Sequence, residues 1–113
     1  IIFISSLSAS LGVKGTLAYS ASKASIDSSV KVLANELSRY NIRVNSIAPG
    51  IIKTPLLENQ VFDNEKLASE QEKYPLGFGD CKDVAYSAHF LLSKASKWIT
   101  GSVIELNGGY KLN

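Results

Sequence analysis

The sequence predicts an α/β fold built on a parallel sheet, and three observations lead there. Three short apolar, β-branched runs recur along the 113 residues: "IIFIS" (1–5), "IRVNSIAPG" (42–50) and "GSVIELNGG" (101–109). A long segment of helical periodicity separates the first two, and a shorter one precedes the third. Strand, helix and strand, with a crossover of about 20 residues, is the unit of a parallel sheet whose strands are buried on both faces.

Taken in order, the opening run has no turn or cap before it, so it reads as a buried strand that continues a longer protein; the lack of any methionine agrees. It is far shorter than a membrane span and has no basic lead-in, which argues against an anchor or a signal peptide. In the next element Tyr19, Lys23, Ile26, Val30, Leu33 and Leu37 follow one another at steps of four, three, four, three and four. Those steps form one stripe of a helix running from about residue 18 to 39. Ala24, Val32 and Ala34 add small or apolar positions off that stripe, more than a solvent-facing side needs.

The run at 42–50 ends in Pro-Gly, the chemistry of a turn. Residues 55–79, "PLLENQVFDNEKLASEQEKYPLGFG", differ from their surroundings: they are charged, with a weak helical period around Glu65 to Tyr74 and Pro and Gly at both ends. They read as a mobile insertion beside the carboxyl edge of the sheet. "DCKDVAYSAHFLLSK" (80–94) is a second helix, with Asp80 or Asp83 as cap and Lys94 and Lys97 near its negative end. Gly108 and Gly109 read as a chain reversal after the last strand, Trp98 as packing, and His89, the single histidine, as a packing or surface residue.

The totals exclude several classes. Hydrophobic residues make up 45% and charged residues 19%, a globular composition for one domain at most. A net charge of +2, evenly spread, gives no nucleic-acid surface, and no segment suits a membrane. The lone Cys81 cannot form an internal disulfide or a multi-cysteine metal site, and no metal is expected. Its neighbours Asp80 and Asp83 disfavour a thiolate nucleophile, and a single thiol fits a reducing, cytoplasmic setting.

Chemistry concentrates at the amino end of the long helix. In a parallel α/β unit that end lies near the carboxyl edge of the strands, where open sheets bind ligands. A phenol is a poor proton donor or acceptor near neutral pH, but an ammonium within roughly 4–6 Å stabilises its phenolate. Lys23 is spaced to do this for Tyr19. Ser6 stands thirteen residues before Tyr19, at the end of the first strand, and can offer its hydroxyl to the same substrate oxygen; Ser5 and Ser8 compete with it for that role.

"ISS", the spacer glycines Gly12 and Gly15, "YSASK", "NIRVNSIAPGIIKT" and "WITGSVIELNGG" together closely resemble the carboxyl-terminal half of the short-chain dehydrogenase/reductase (SDR) family, in particular members like the 3-oxoacyl-[acyl-carrier-protein] reductases. The resemblance covers essentially the whole chain. It implies the carboxyl-terminal half of a Rossmann-like three-layer α/β/α sheet, with residues 1–113 a partial NAD(P)-binding domain and 55–79 a substrate lid. By the same resemblance Tyr19 is the proton donor or acceptor, Lys23 binds the nicotinamide ribose, and Ser6 orients the substrate oxygen. Pro49, Gly50 and Ile52 match the turn along the nicotinamide, and Thr54 the hydroxyl that reaches the cofactor, NAD or NADP.

The implied activity is hydride transfer between nicotinamide and a carbonyl or secondary alcohol, on a small molecule or an acyl-carrier thioester, in a homodimer or homotetramer. A non-catalytic association or folding module, and a sugar-nucleotide epimerase or dehydratase, are the alternatives. The chain contains no Gly-x-Gly-x-x-Gly loop, and Phe78 stands after "PLG" where the family often has arginine.

Overall fold

The computed structural model describes residues 1–59 and 64–110, with the side chains of 58, 59 and 64 left aside. Its centre is a sheet of three parallel strands in the order β1, β2, β5: β1 (Ile2–Ile4), β2 (Asn45–Pro49) and β5 (Val103–Leu106). Ile4 lies opposite Ile47, and Ile47 opposite Ile104, so β2 is the inner strand and its residues 45–48 are buried. All three strands are shorter than their apolar runs. Residues just outside them still bond across the sheet, Ser5 N–H to Ile47 O at 2.7 Å and Gly50 N–H to Leu106 O at 2.8 Å.

The long helix is α2 (Leu17–Leu37), continued by a 3-10 turn over Ser38–Tyr40. Val30 and Ala34 of α2 join Val44 in the core, with Phe3, Ile26, Leu33 and Leu37 packed around them. Ala34 is therefore not part of an outward face: it is 5% exposed and turns inward beside Val30, one helical turn on. Ser46 donates to Asp27 Oδ1 of α2 at 3.0 Å, so Val44 and Ser46 both face that helix.

The alternate positions face the other way. Arg43 donates to Ile99 O, Leu91 O and Ser93 O, and Asn45 donates to Ile99 O while accepting from Ser102 N–H. Leu91 belongs to α5 (Cys81–Leu92), so α2 and α5 lie on opposite faces of β2 in a three-layer arrangement. Asp80 caps α5 by accepting from the N–H groups of Lys82 and Asp83, and Asp83 accepts in return from Asp80 N–H, a full capping box. At the other end the open carbonyls are served by the Arg43 guanidinium and by Ser96 Oγ. Trp98 does not pack within the chain: it is 96% exposed. It sits just beyond the 3-10 turn that follows α5. His89 is exposed on α5.

Between the main strands lie α1 (Ser8–Leu11), β3 (Ile52–Lys53), α3 (Pro55–Asn59), α4 (Asn64–Gln71) and β4 (Gly79–Asp80). β3 and β4 pair in parallel, so the segment expected as a lid leaves and returns on adjacent strands. Its helical period falls on α4, while residues 60–63 of it lie outside the described residues. Among the described residues no helix is long and apolar enough to cross a membrane, and no cluster of side chains could hold a metal ion.

Candidate active site

β1 ends in serines because a parallel strand must leave the sheet at its carboxyl edge, and the two hydroxyls there divide the work. Ser5 is buried, and its Oγ donates to Lys23 O at 3.2 Å, tying β1 to α2. Ser6 Oγ accepts from Ser8 N–H at 3.2 Å and stays at the surface of a cleft. The competition among Ser5, Ser6 and Ser8 is narrowed by this: Ser5 is spent on structure, while Ser6 and Ser8 both line the cleft.

α1 stops at Gly12, whose φ of 61° lets the chain reverse, and Thr16 opens α2 with its Oγ1 bonded to Val13 O at 2.8 Å. That entry sets Tyr19 one turn into α2, half exposed and on the same cleft as Ser6. Lys23, the next residue on the stripe, sends its ammonium to Ile4 O at 3.0 Å and lies 5.8 Å from the centroid of the Tyr19 ring. The partner that a lysine on a half-buried stripe requires is thus a strand-end carbonyl.

The cleft has a volume of about 710 Å³. Pro49, Gly50 and Ile51 line it together with the apolar Leu11, Val13 and Leu57 and the rings of Tyr74 and Tyr110. Ile52 lines a second cleft, with Gly79, Asp83 and Gly108. Thr54 accepts from Leu57 N–H at 3.3 Å and so opens α3. Of the seven residues singled out from sequence, Ser6, Tyr19, Pro49 and Gly50 share the first cleft, with Lys23 behind Tyr19.

Sequence reasoning passed over Tyr74, Tyr110 and the Glu70–Lys73 ion pair on the same cleft. The hydrogen bond from Lys73 to Glu70 raises the lysine's pKa above its usual value. The Tyr74 phenol is also pushed above its ordinary value, chiefly by burial, which disfavours the phenolate. The signal for Tyr74 was faint, one aromatic among three in a charged stretch.

Comparison with known proteins agrees with this fold. The family model described as Enoyl-(Acyl carrier protein) reductase matches residues 1–111. The 3-oxoacyl-[acyl-carrier-protein] reductase FabG of Aggregatibacter actinomycetemcomitans is 40% identical over 110 residues, covering 96% of this chain and 44% of the relative. Among solved structures, 4-hydroxyisoleucine dehydrogenase complexed with NADH superposes with a TM-score of 0.93 at 32% identity, over 100% of this chain and 47% of the other. An Agrobacterium tumefaciens protein assigned as a 2-deoxy-D-gluconate 3-dehydrogenase, with bound NADP, gives 0.92 at 33% identity, over 99% and 46%. The chain spans less than half the length of these relatives. With the family match running from one end to the other and the folds agreeing this closely, the chain belongs to the short-chain dehydrogenase/reductase family, where it resembles the 3-oxoacyl-[acyl-carrier-protein] reductases.

Proposed function

We propose that this chain is the catalytic half of an NAD(P)-dependent oxidoreductase of the cytoplasm that reduces a carbonyl, or oxidises the corresponding secondary alcohol, on a 3-oxoacyl thioester or a related small molecule. The observation that carries this reading is the placement of Ser6 and Tyr19 on one cleft with the Lys23 ammonium fixed behind the tyrosine ring. The residues suit a nicotinamide dinucleotide: an ammonium, two hydroxyls and a turn with glycine at its centre, at the carboxyl edge of a parallel sheet. When bound, the dinucleotide supplies or accepts the hydride.

The chain's own residues then do the following. Tyr19 gives a proton to the substrate oxygen during reduction, or takes it during oxidation. Lys23 stabilises the tyrosine in its charged form and holds the ribose. Ser6 donates to the same oxygen and fixes its direction. Pro49, Gly50, Ile52 and Thr54 form the turn beside the nicotinamide, the segment 55–79 covers the substrate, and the whole enzyme is a homodimer or homotetramer. The relatives matched are reductases and dehydrogenases, which supports hydride transfer over epimerisation, dehydration or a non-catalytic role.

The test uses the whole enzyme, this chain preceded by a nucleotide-binding half such as that of the Aggregatibacter reductase. Tyr19→Phe is expected to lower kcat on a 3-oxoacyl thioester by about 10²–10⁴-fold, the usual contribution of a positioned acid-base group, with dinucleotide affinity nearly unchanged. Retention of more than about a tenth of the activity would overturn the role of Tyr19.

A further inference from the structure

Three stretches far apart in sequence meet at Tyr74. A Cβ on Gly50 would come within 2.9 Å of Tyr74 Cε1, so the ring occupies the space that a side chain there would take. The Tyr110 ring lies 4.6 Å away between centroids, and Phe78 meets Tyr74 nearly edge-on at 5.3 Å. The same stretch is clamped by the turn after β5. Leu76 N–H donates to Gly108 O at 3.0 Å, a Cβ on Gly108 would sit 2.9 Å from Gly77 O, and one on Gly109 would sit 3.2 Å from the Pro75 ring. Gly108 and Gly109 therefore do more than reverse the chain: they let "YPLG" approach. Tyr74 is 7% exposed and stands between the two clefts, lining both.

The polar groups of the Pro49–Gly50–Ile51 turn show why this residue matters. Pro49 O accepts from Leu7 N–H, Gly50 N–H donates to Leu106 O, and Ile51 O accepts from Gly79 N–H, all backbone bonds of 2.8–3.1 Å. Ile51 N–H has a side-chain partner instead: it donates to Tyr74 Oη at 3.3 Å. The peptide between Gly50 and Ile51 has no side chain on its leading residue, so this one bond and the ring against Gly50 set its orientation.

We propose that Tyr74 is a positioning residue that holds the Gly50–Ile51 peptide in the orientation that receives the nicotinamide ring, so that the segment crossing the cleft and cofactor affinity are linked through one phenol. The proposal deepens the functional reading above and rests on it for the identity of the ring. The anchor lies on the segment expected to cover the substrate and its target on the turn beside the nicotinamide. A movement of the first therefore reaches the second without passing through Tyr19.

The experiment has two arms. In the first, amide hydrogen exchange is followed by NMR on the full 113-residue chain, with no ligand. Tyr74→Phe, which keeps the ring, is expected to speed exchange of Ile51 N–H about threefold to tenfold, the span of a modest net hydrogen bond, and to leave Ile47 N–H unchanged. In the second, the whole enzyme carrying Tyr74→Phe is expected to show a dinucleotide KM raised by about the same factor with kcat within about twofold; Tyr74→Leu, which also loses the ring, raises KM further. Unchanged exchange at Ile51 overturns the proposal. Faster exchange with unchanged KM leaves Tyr74 as a purely structural tie and overturns its positioning role. If the unmodified enzyme binds no dinucleotide, the functional reading fails and takes the positioning role with it, while the exchange arm still tells whether Tyr74 holds the turn.

Discussion

Lys23 is held by a backbone carbonyl, Ile4 O at 3.0 Å, and so stays where it is when the charge on its neighbours changes. Removing it should cost twice, since one ammonium is asked to support the tyrosine and to grip the ribose. In the whole enzyme, Lys23→Ala is expected to weaken dinucleotide affinity by about 10–100-fold, the worth of a hydrogen bond to a charged group, and to lower kcat as well. Stopped-flow or calorimetric binding beside steady-state kinetics separates the two, and intact binding would remove the ribose contact from the scheme. Tyr74 carries a different signature. Burial raises its phenol above the ordinary 10.0, with the Ile51 N–H pulling the other way. The folded chain thus keeps a proton that the unfolded chain releases, so this stability is complete below about pH 10 and is lost as pH rises through the raised folded value. The unfolding midpoint should fall more steeply above about pH 10 in the unmodified chain than in Tyr74→Phe. Lys73 is raised too, by Glu70, but it is fully exposed and adds little to that slope. That Ser6 and Tyr19 meet on one cleft with Lys23 near the ring was legible because residue type and spacing carry that placement. Arg43 and Tyr74 were not, because their partners are carbonyls and an amide, and a backbone atom leaves no mark in composition.

At the level of the elements, periodicity worked where it had room to repeat. The stripe of α2 found the core helix, yet it placed Ala34 outside, since a stripe drawn through large residues overlooks a small one beside it. β3 and β4 hold two residues each and α1 holds four, too short for any period to register. A cap of α5 at Asp80 or Asp83 was readable, the reciprocal box that uses both was not, and that box makes a quantitative expectation. Asp80→Ala should lower stability by about 1 kcal/mol in chemical denaturation, the usual worth of a helix cap. Because Asp80 and Asp83 serve one reciprocal box, adding Asp83→Ala should cost less than the sum of the two single changes. Full additivity would mean that the two bonds form independently.

The molecule as a whole leaves β1 paired on one side within the described residues, and it contains no Gly-rich phosphate loop. Incubated alone with NADPH or NADH and a ketone, the 113-residue chain should give no measurable reduction; robust turnover would show that half a site suffices. Assembly is the other whole-molecule expectation. With Ala34 withdrawn into the core, the outward side of α2 offers Val32, 54% exposed, beside Ser28 and Ser25. Light scattering on the whole enzyme should report a dimer or tetramer that Val32→Glu or Ser28→Glu weakens. A monomer, or an oligomer indifferent to both, would assign those small residues to helix propensity alone. The α/β plan with a parallel sheet was visible from sequence because strand and helix patterns are local, whereas Trp98 was misjudged because its surroundings are set by where α5 ends. One junction has implications for how such enzymes diversify. Since β3 and β4 lie side by side, everything between Thr54 and Phe78 is a closed excursion whose two feet stay together whatever its length. Doubling such an excursion costs only about 0.6 kcal/mol in closure entropy, so it can be exchanged as a cassette between relatives while Ser6, Tyr19 and Lys23 stay untouched. A transplanted cassette must still bring its own hydrogen-bond acceptor for Ile51, and grafts that lack one should inherit a new substrate preference together with a loosened grip on the cofactor.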